Sequence, residues 1–284
     1  MKKDIFRASA KIDFAESLKI YHSYGNYRIG RCIMSNEEQR LLRERREGSM
    51  TDRIAKAYEE LRKGKIILVY DADGREEETD MVVATEFVTA DIVRTMRKNG
   101  GGLICVTIPP EARKCIGIPY MVDILSNSKS KYPIVDGLKP YDIPYDAKSS
   151  FSLTINHRKT FTGITDKDRA LTISEFAKIV KLTLSCENGY AAEAFSKNFR
   201  SPGHVHLLNA SDDLVMRRQG HTELTTAMME LADLTPSATI CEMMGDNGNA
   251  LSKDKAKKYA ADNKLIFLEG KEIIETWKAR ALAK

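Results

Sequence analysis

The chain predicts a layered α/β domain with a mixed sheet. Short apolar runs alternate with segments of helical periodicity from about residue 50 onward, turn residues separate them, and no internal repeat interrupts the alternation. Thr51 or Asp52 can N-cap a first helix in which Ile54, Ala57, Tyr58 and Leu61 recur at i, i+3, i+4 and i+7. Ile66 to Tyr70 is continuously apolar, as a buried strand should be, and Met81 to Ala84 is a second, shorter strand. Thr89 caps a helix through Lys98, which Gly100-Gly101-Gly102 ends before the strand Leu103 to Ile108. Phe151, Leu153 and Ile155 alternate with Ser152 and Thr154 as in a half-buried strand, and Ser174 to Leu184 reads as a helix. A strand at Val205 to Leu208, a helix from Thr222 to Ala232 and a strand from Ala238 to Met243 follow. Ser252 then opens a helix, Leu265 to Leu268 is a strand, and a last helix ends in Lys284. Pro109, Pro119, Pro133, Pro140 and Pro144 punctuate the middle and predict long loops there.

Composition narrows the function classes. With 284 residues and 42% hydrophobic content the chain can bury a full core. No apolar run approaches the ~20 residues of a membrane span. The N-terminus Met1-Lys-Lys-Asp-Ile-Phe-Arg lacks a secretory apolar stretch, so the chain is expected to be cytoplasmic and to bind no membrane. Cys32, Cys105, Cys115, Cys186 and Cys241 are odd in number and show no C-x-x-C spacing, which argues against a disulfide framework or a zinc site. Of the net charge of +5, residues 1 to 50 supply +4. A nucleic-acid binder more often spreads basic surface through its folded domain, so no nucleic-acid partner is expected. Residues 1 to 49 also lack a strand pattern and are expected to be a basic extension outside the core. The extension reads as dispensable, with Met50 as the functional start.

The chemistry is sought at strand ends. Directly after the first strand stand Asp71, Asp73, Glu76, Glu77, Glu78 and Asp80 around Arg75. So much negative charge at the end of a buried strand calls for a cation, basic contacts or water. It is not an EF-hand, because Arg75 and Glu76 stand where a calcium loop needs a ligand and a glycine. In Arg217-Arg-Gln-Gly-His-Thr-Glu223, the residues Gly220, His221 and Thr222 open a helix with free N–H groups beside the charge of Arg218. That arrangement holds a phosphate. The glycines of a nucleotide fingerprint are missing, which favours a small phosphorylated metabolite.

Each element also has a bland reading. An acidic loop is more often a solvated turn, His221 could be a plain helix-start residue, and Arg218 a surface charge. Cys105, in an apolar strand, reads first as a small core residue, and His157 and His206 as structural or surface residues. Glu242 is harder to dismiss, because a carboxylate between Cys241 and Met243 is unfavourable without a partner.

Taken together, six segments resemble a known family. They are Arg75-Glu-Glu-Glu-Thr-Asp80, Gly102-Leu-Ile-Cys105, Phe161-Thr-Gly-Ile-Thr-Asp-Lys-Asp-Arg169, Ser201-Pro-Gly-His204, Arg218-Gln-Gly-His-Thr-Glu223 and Cys241-Glu-Met-Met-Gly-Asp-Asn-Gly248. Their order and approximate spacing are similar to 3,4-dihydroxy-2-butanone 4-phosphate synthase, most closely its archaeal stand-alone form, over roughly Met50 to Trp277. The resemblance implies a lyase of riboflavin biosynthesis that converts D-ribulose 5-phosphate into L-3,4-dihydroxy-2-butanone 4-phosphate and formate. It implies a homodimer with active sites near the subunit interface. It also implies Mg²⁺ or Mn²⁺, two ions per site, and no organic cofactor. Glu76 and His221 match metal ligands. Arg75, Glu76, Asp80, Arg218, Gln219, Gly220, His221, Thr222 and Glu242 match substrate contacts, and His204 and Glu242 match catalytic positions. Glu78, Cys105 and Thr162 match with a weaker claim. The expected fold is an α/β, layered α-β-α sandwich with a mixed sheet, a single catalytic domain over residues 50–284 with a single activity. The alternative is another metal-dependent sugar-phosphate isomerase or aldolase, which would not release formate.

Overall fold

A computed structural model describes residues 51–138, 142–184 and 189–282. The basic segment 1–49 lies outside the described residues, as does the expected helix end at Lys284. A helix covers residues 51–62, so Thr51 and Asp52 lie within it and not ahead of it as caps.

Seven strands form one mixed sheet: β1 (Ile67–Tyr70), β2 (Thr79–Ala84), β3 (Cys105–Ile108), β4 (Phe151–His157), β5 (Phe199–Asn209), β6 (Ala238–Glu242) and β7 (Phe267–Glu269). Their spatial order is β4-β5-β3-β6-β2-β1-β7. The β3/β5 and β1/β7 pairs are parallel and the others antiparallel.

The sheet is covered on both faces, and the period-2 alternation of its strands divides the core in two. Leu68, Met81, Val83, Val106, Cys241 and Met243 pack on one side with Val93 and Met96 and with Ile173, Phe176 and Val180 of the Asp166–Thr183 helix. Ile67, Val69, Val82, Cys105 and Ile240 pack on the other. There they meet Ile54, Ala57 and Leu61 of the 51–62 helix, Leu224 and Met228 of the His221–Leu231 helix, and Ile273 of the Gly270–Leu282 helix. The result is the expected α-β-α sandwich.

Local signals explain both matches and misses. Thr89 caps its helix by accepting from the N–H of Ile92, and the helix widens into a π turn at Met96–Gly100. Gly101 (φ +94°) then turns the chain toward β3. The helix expected from Ser174 begins at Asp166 instead. Thr165 accepts from the N–H of Asp168 to cap it, and Asp166 and Asp168 complement the dipole of its first turn. The proline-rich middle is not all loop, since helices run over Pro110–Ile116 and Met121–Ser128. Pro110 sits in the first turn, where a missing N–H costs nothing, so the proline starts the helix. A further helix, Tyr190–Asn198, was not expected from the sequence.

Candidate active site

The ends of β1 and β6 and the starts of β2 and β3 meet at one edge of the sheet, on the face covered by the His221–Leu231 helix. A cavity there is lined by eight residues of the expected set, Glu76, Glu78, Asp80, Cys105, Arg218, His221, Thr222 and Glu242, together with residues of the 143–151 segment, Leu208 and Ile240.

Asp71 organises the acidic loop. Gly74 (φ +80°) and Glu77 (φ +58°) take left-handed backbone, free for glycine and mildly costly for glutamate. The N–H groups of Glu76 and Glu78 then donate to Asp71 Oδ2 and Oδ1 at 3.0 and 3.1 Å, and Arg75 Nη1 donates to Oδ2 at 3.1 Å. With both oxygens engaged, Asp71 braces the loop from within. Asp73 and Glu77 point to solvent, leaving Glu76, Glu78 and Asp80 for the cavity.

Glu76 Oε2 lies 3.2 Å from His221 Nδ1. His221 Nε2 is 3.3 Å from the Val69 carbonyl oxygen and 3.8 Å from Asp80 Oδ1. Burial would raise Glu76, but the hydrogen bond and charge of His221, with Arg75 and Arg218, hold it down to about 2. Burial would lower His221, yet Asp80, Glu76 and Asp71 push it up to about 9. Asp80 is displaced far above the carboxylate range by its own burial and by Glu242, Glu76 and Glu78, against the pull of His221. Its Oδ1 finds no hydrogen-bond partner among the described residues. Glu78 is raised by burial and by Glu242 and Glu76. Buried, mutually repelling carboxylates with an orphaned oxygen and an adjacent imidazole fit a hard divalent cation. Asp71, Glu76 and His221 present ligand atoms within 4.8 Å of one another. Both oxygens of Asp71 already accept loop N–H groups.

Glu242 sits directly opposite Asp80 in the β2/β6 ladder. Its Oε2 accepts the N–H of Leu103 at 2.8 Å, the partner that a carboxylate in an apolar strand requires. The approach depends on Gly102, because a Cβ there would lie 2.3 Å from Glu242 Oε2 and 2.9 Å from its carbonyl oxygen. Cys105 is buried among apolar residues as the bland reading holds, and burial, with Glu242 and Asp80, pushes its thiol well up. It also lines the cavity floor.

Gly220 begins the His221–Leu231 helix without a side-chain cap. A Cβ on Gly220 would meet Arg218 Nη1 at 2.3 Å and Arg75 Nη2 at 2.7 Å, so both guanidinium groups stand over this helix start. Arg218 is further held by the buried Glu223, whose Oε1 accepts the N–H of Ser211 at 2.9 Å. Gln219 is exposed and does not line the cavity.

His204 and Thr162 form a second group. His204 is exposed on β5, with its N–H on Asn156 Oδ1 at 2.9 Å and its ring Nδ1 3.1 Å from Asn156 Nδ2. Asn156 Nδ2 also reaches the Thr162 carbonyl oxygen at 3.5 Å, while Thr162 Oγ1 is 3.4 Å from Asp168 Oδ2. The registers His206–Cys105 and Cys105–Ile240 put His204 and Glu242 two strands apart, on the same face and toward the same end. At about 4.8 Å per strand they are roughly 10 Å apart. His157 is structural, buried edge-on against Phe199.

Sequence reasoning did not single out Asp146, Asn156 or Glu223. Glu223 closes a quoted motif five residues after Arg218, a signal that was present. Asn156 takes the polar phase of the β4 alternation after Ser152 and Thr154, so the pattern does not mark it out. Nothing local marks Asp146.

The model of the family described as 3,4-dihydroxy-2-butanone 4-phosphate synthase matches residues 55–276. The protein of that description from Methanothermobacter thermautotrophicus is 53% identical, covering 79% of this chain and 95% of its own. That from Methanosarcina mazei is 46% identical, covering 80% and 91%. A solved structure described as 3,4-dihydroxy-2-butanone 4-phosphate synthase in complex with two magnesium ions superposes with TM-score 0.61 at 25% identity, covering 78% of this chain and 95% of that one. On the extent of these matches, the chain belongs to the 3,4-dihydroxy-2-butanone 4-phosphate synthase family.

Proposed function

We propose that the chain converts D-ribulose 5-phosphate into L-3,4-dihydroxy-2-butanone 4-phosphate and formate, a step of riboflavin biosynthesis. The observation that carries this reading is the convergence of Glu76, Asp80, Glu242 and His221 beside a helix start overlain by Arg75 and Arg218. Substrate and products balance without an oxidant or reductant, so what the reaction demands is binding and proton movement.

The N–H groups of the Gly220 turn and the Arg218 and Arg75 guanidinium groups bind the phosphate, with Thr222 beside them. Asp80 and Glu242 hold hydroxyl groups of the sugar at the cavity floor. Glu242, fixed by the Leu103 N–H, and His204, fixed by Asn156, move protons on either side of the carbon skeleton. Glu76 and His221 would hold Mg²⁺ or Mn²⁺, two ions in the complete site. When bound, the metal acidifies and charge-balances neighbouring substrate oxygens. The active form is a homodimer. Phe161, 91% exposed, with Ile164, Leu103 and the exposed His204 and Thr162, supplies an apolar rim suited to a second copy. Among the described residues, no helix is long and apolar enough to cross a membrane, and the place of action is taken as the cytoplasm.

Purified protein incubated with ribulose 5-phosphate and Mg²⁺ should release formate, and EDTA should stop it. E76Q and H221A should abolish turnover and weaken Mn²⁺ binding read by electron paramagnetic resonance, with the melting transition retained. Product without formate would assign an isomerase or aldolase instead. Turnover in metal-free protein would remove Glu76 and His221 as ligands.

A further inference from the structure

Arg75 and Arg218 meet on a single acceptor. Arg75 Nη2 lies 3.1 Å from Asp146 Oδ2, and Arg218 Nε donates to the same oxygen. Three further carboxylates touch this pair: Asp71 and Glu76 at Arg75, and Glu223 at Arg218. Two positive charges are thus enclosed by four negative ones before any ligand arrives. A phosphate monoester brings up to two more. One carboxylate has to give way for it.

The four are not equally free to move. Asp71 is buried with both oxygens on backbone N–H groups. The Glu223 side chain has no exposure and is fixed to the Ser211 N–H. Glu76 is tied to His221. Asp146 stands on the irregular stretch 142–150 ahead of β4, and its second oxygen accepts the N–H of its own neighbour, Ala147, at 3.1 Å. It is the displaceable member.

We propose that Asp146 is an internal counter-anion that occupies the phosphate position between Arg75 and Arg218, and that it determines which anions the site accepts. An anion must offer enough other contacts to offset displacement of Asp146. A sugar phosphate does so through its hydroxyl groups at the cavity floor, whereas free orthophosphate has only the arginines and the helix start. The arginine pair therefore rejects orthophosphate and admits the phosphorylated sugar. This inference rests on the phosphate placement given under the proposed function.

The test is direct titration of orthophosphate into metal-free full-length protein by calorimetry, for the wild type, D146N and D146S. Both variants relieve repulsion among four carboxylates and should retain the wild-type melting transition. Orthophosphate should bind each variant at least about tenfold more tightly, the cost of one charge-assisted contact. It should also become a correspondingly stronger competitive inhibitor of formate release. Unchanged or weaker orthophosphate binding in both variants overturns the inference, and would make Asp146 a brace for the arginines. Tighter binding in protein that releases no formate would leave the anion site standing and sink the reaction. Formate release with unchanged orthophosphate binding does the reverse.

Discussion

Arg218 joins a proposed role in binding to a role in folding. Its side chain overlies the Gly220 turn while bonding to Glu223, whose side chain has no exposure. Removing the guanidinium would delete the proposed phosphate contact, made in ground and transition states alike, and would leave the buried Glu223 carboxylate without its charge partner. R218A should therefore raise KM far more than it lowers kcat, and should destabilise the fold by roughly 3 kcal/mol. Adding E223L to R218A should recover much of that stability without restoring KM. Denaturant unfolding and steady-state kinetics on the single and double variants read both effects, and a stable R218A protein would show that the Ser211 N–H alone suffices to hold the Glu223 carboxylate.

At the scale of elements, the site depends on close approaches between chain segments. The Gly102 backbone lies against Glu242 so tightly that an added Cβ would fall 2.8 Å from the Glu242 Cβ and 2.9 Å from its carbonyl oxygen. G102A should displace the end of β6, lower kcat at least about a hundredfold if Glu242 moves protons, and cost stability; near-normal kcat would release Glu242 from that role. A second junction is ionic. Glu269, closing β7, is held by Lys257 and Lys271 at 3.0 Å each and by Lys253 at 3.3 Å. Burial alone would raise it, but the three lysines bring it down to about 2. A carboxylate lowered on folding contributes stability that is complete above its unfolded value near 4.5 and fades as pH falls toward 2. Melting of E269Q should accordingly differ from wild type at pH 6 and converge with it near pH 2. Because this cluster is substantially solvent-exposed, the difference should be small.

At the scale of the molecule, the matched region begins at residue 55, while the charge excess lies in residues 1–50. Protein starting at Met50 is expected to keep the melting transition, the oligomeric state and formate release of the full chain. Arg53, bonded to the buried Glu272 at 2.6 Å, lies within that shortened chain and ties the 51–62 helix to the Gly270–Leu282 helix. Loss of solubility or activity on truncation would place the start of the domain upstream of Met50.

Period-2 runs, helical repeats and the local chemistry of Thr89 and Gly101 are written in neighbouring residues, so the sequence by itself determined the strands, the sandwich and the position of the Gly220 helix start. Where it misled, the competing signal was local too: Pro110 starts a helix, and Thr165 caps one that apolar periodicity alone placed two turns later. Most site residues were legible because their motifs resemble a family, not because periodicity marks them. Only the tertiary structure decided what those residues do to each other. The pairing of β2 with β6 sets Asp80 against Glu242, the crossing of the acidic loop over a helix start sets Glu76 against His221, and a loop from mid-chain brings Asp146 to both arginines. Residues 70 to 160 positions apart meet there, and such encounters are products of sheet register and loop closure, which no local pattern encodes.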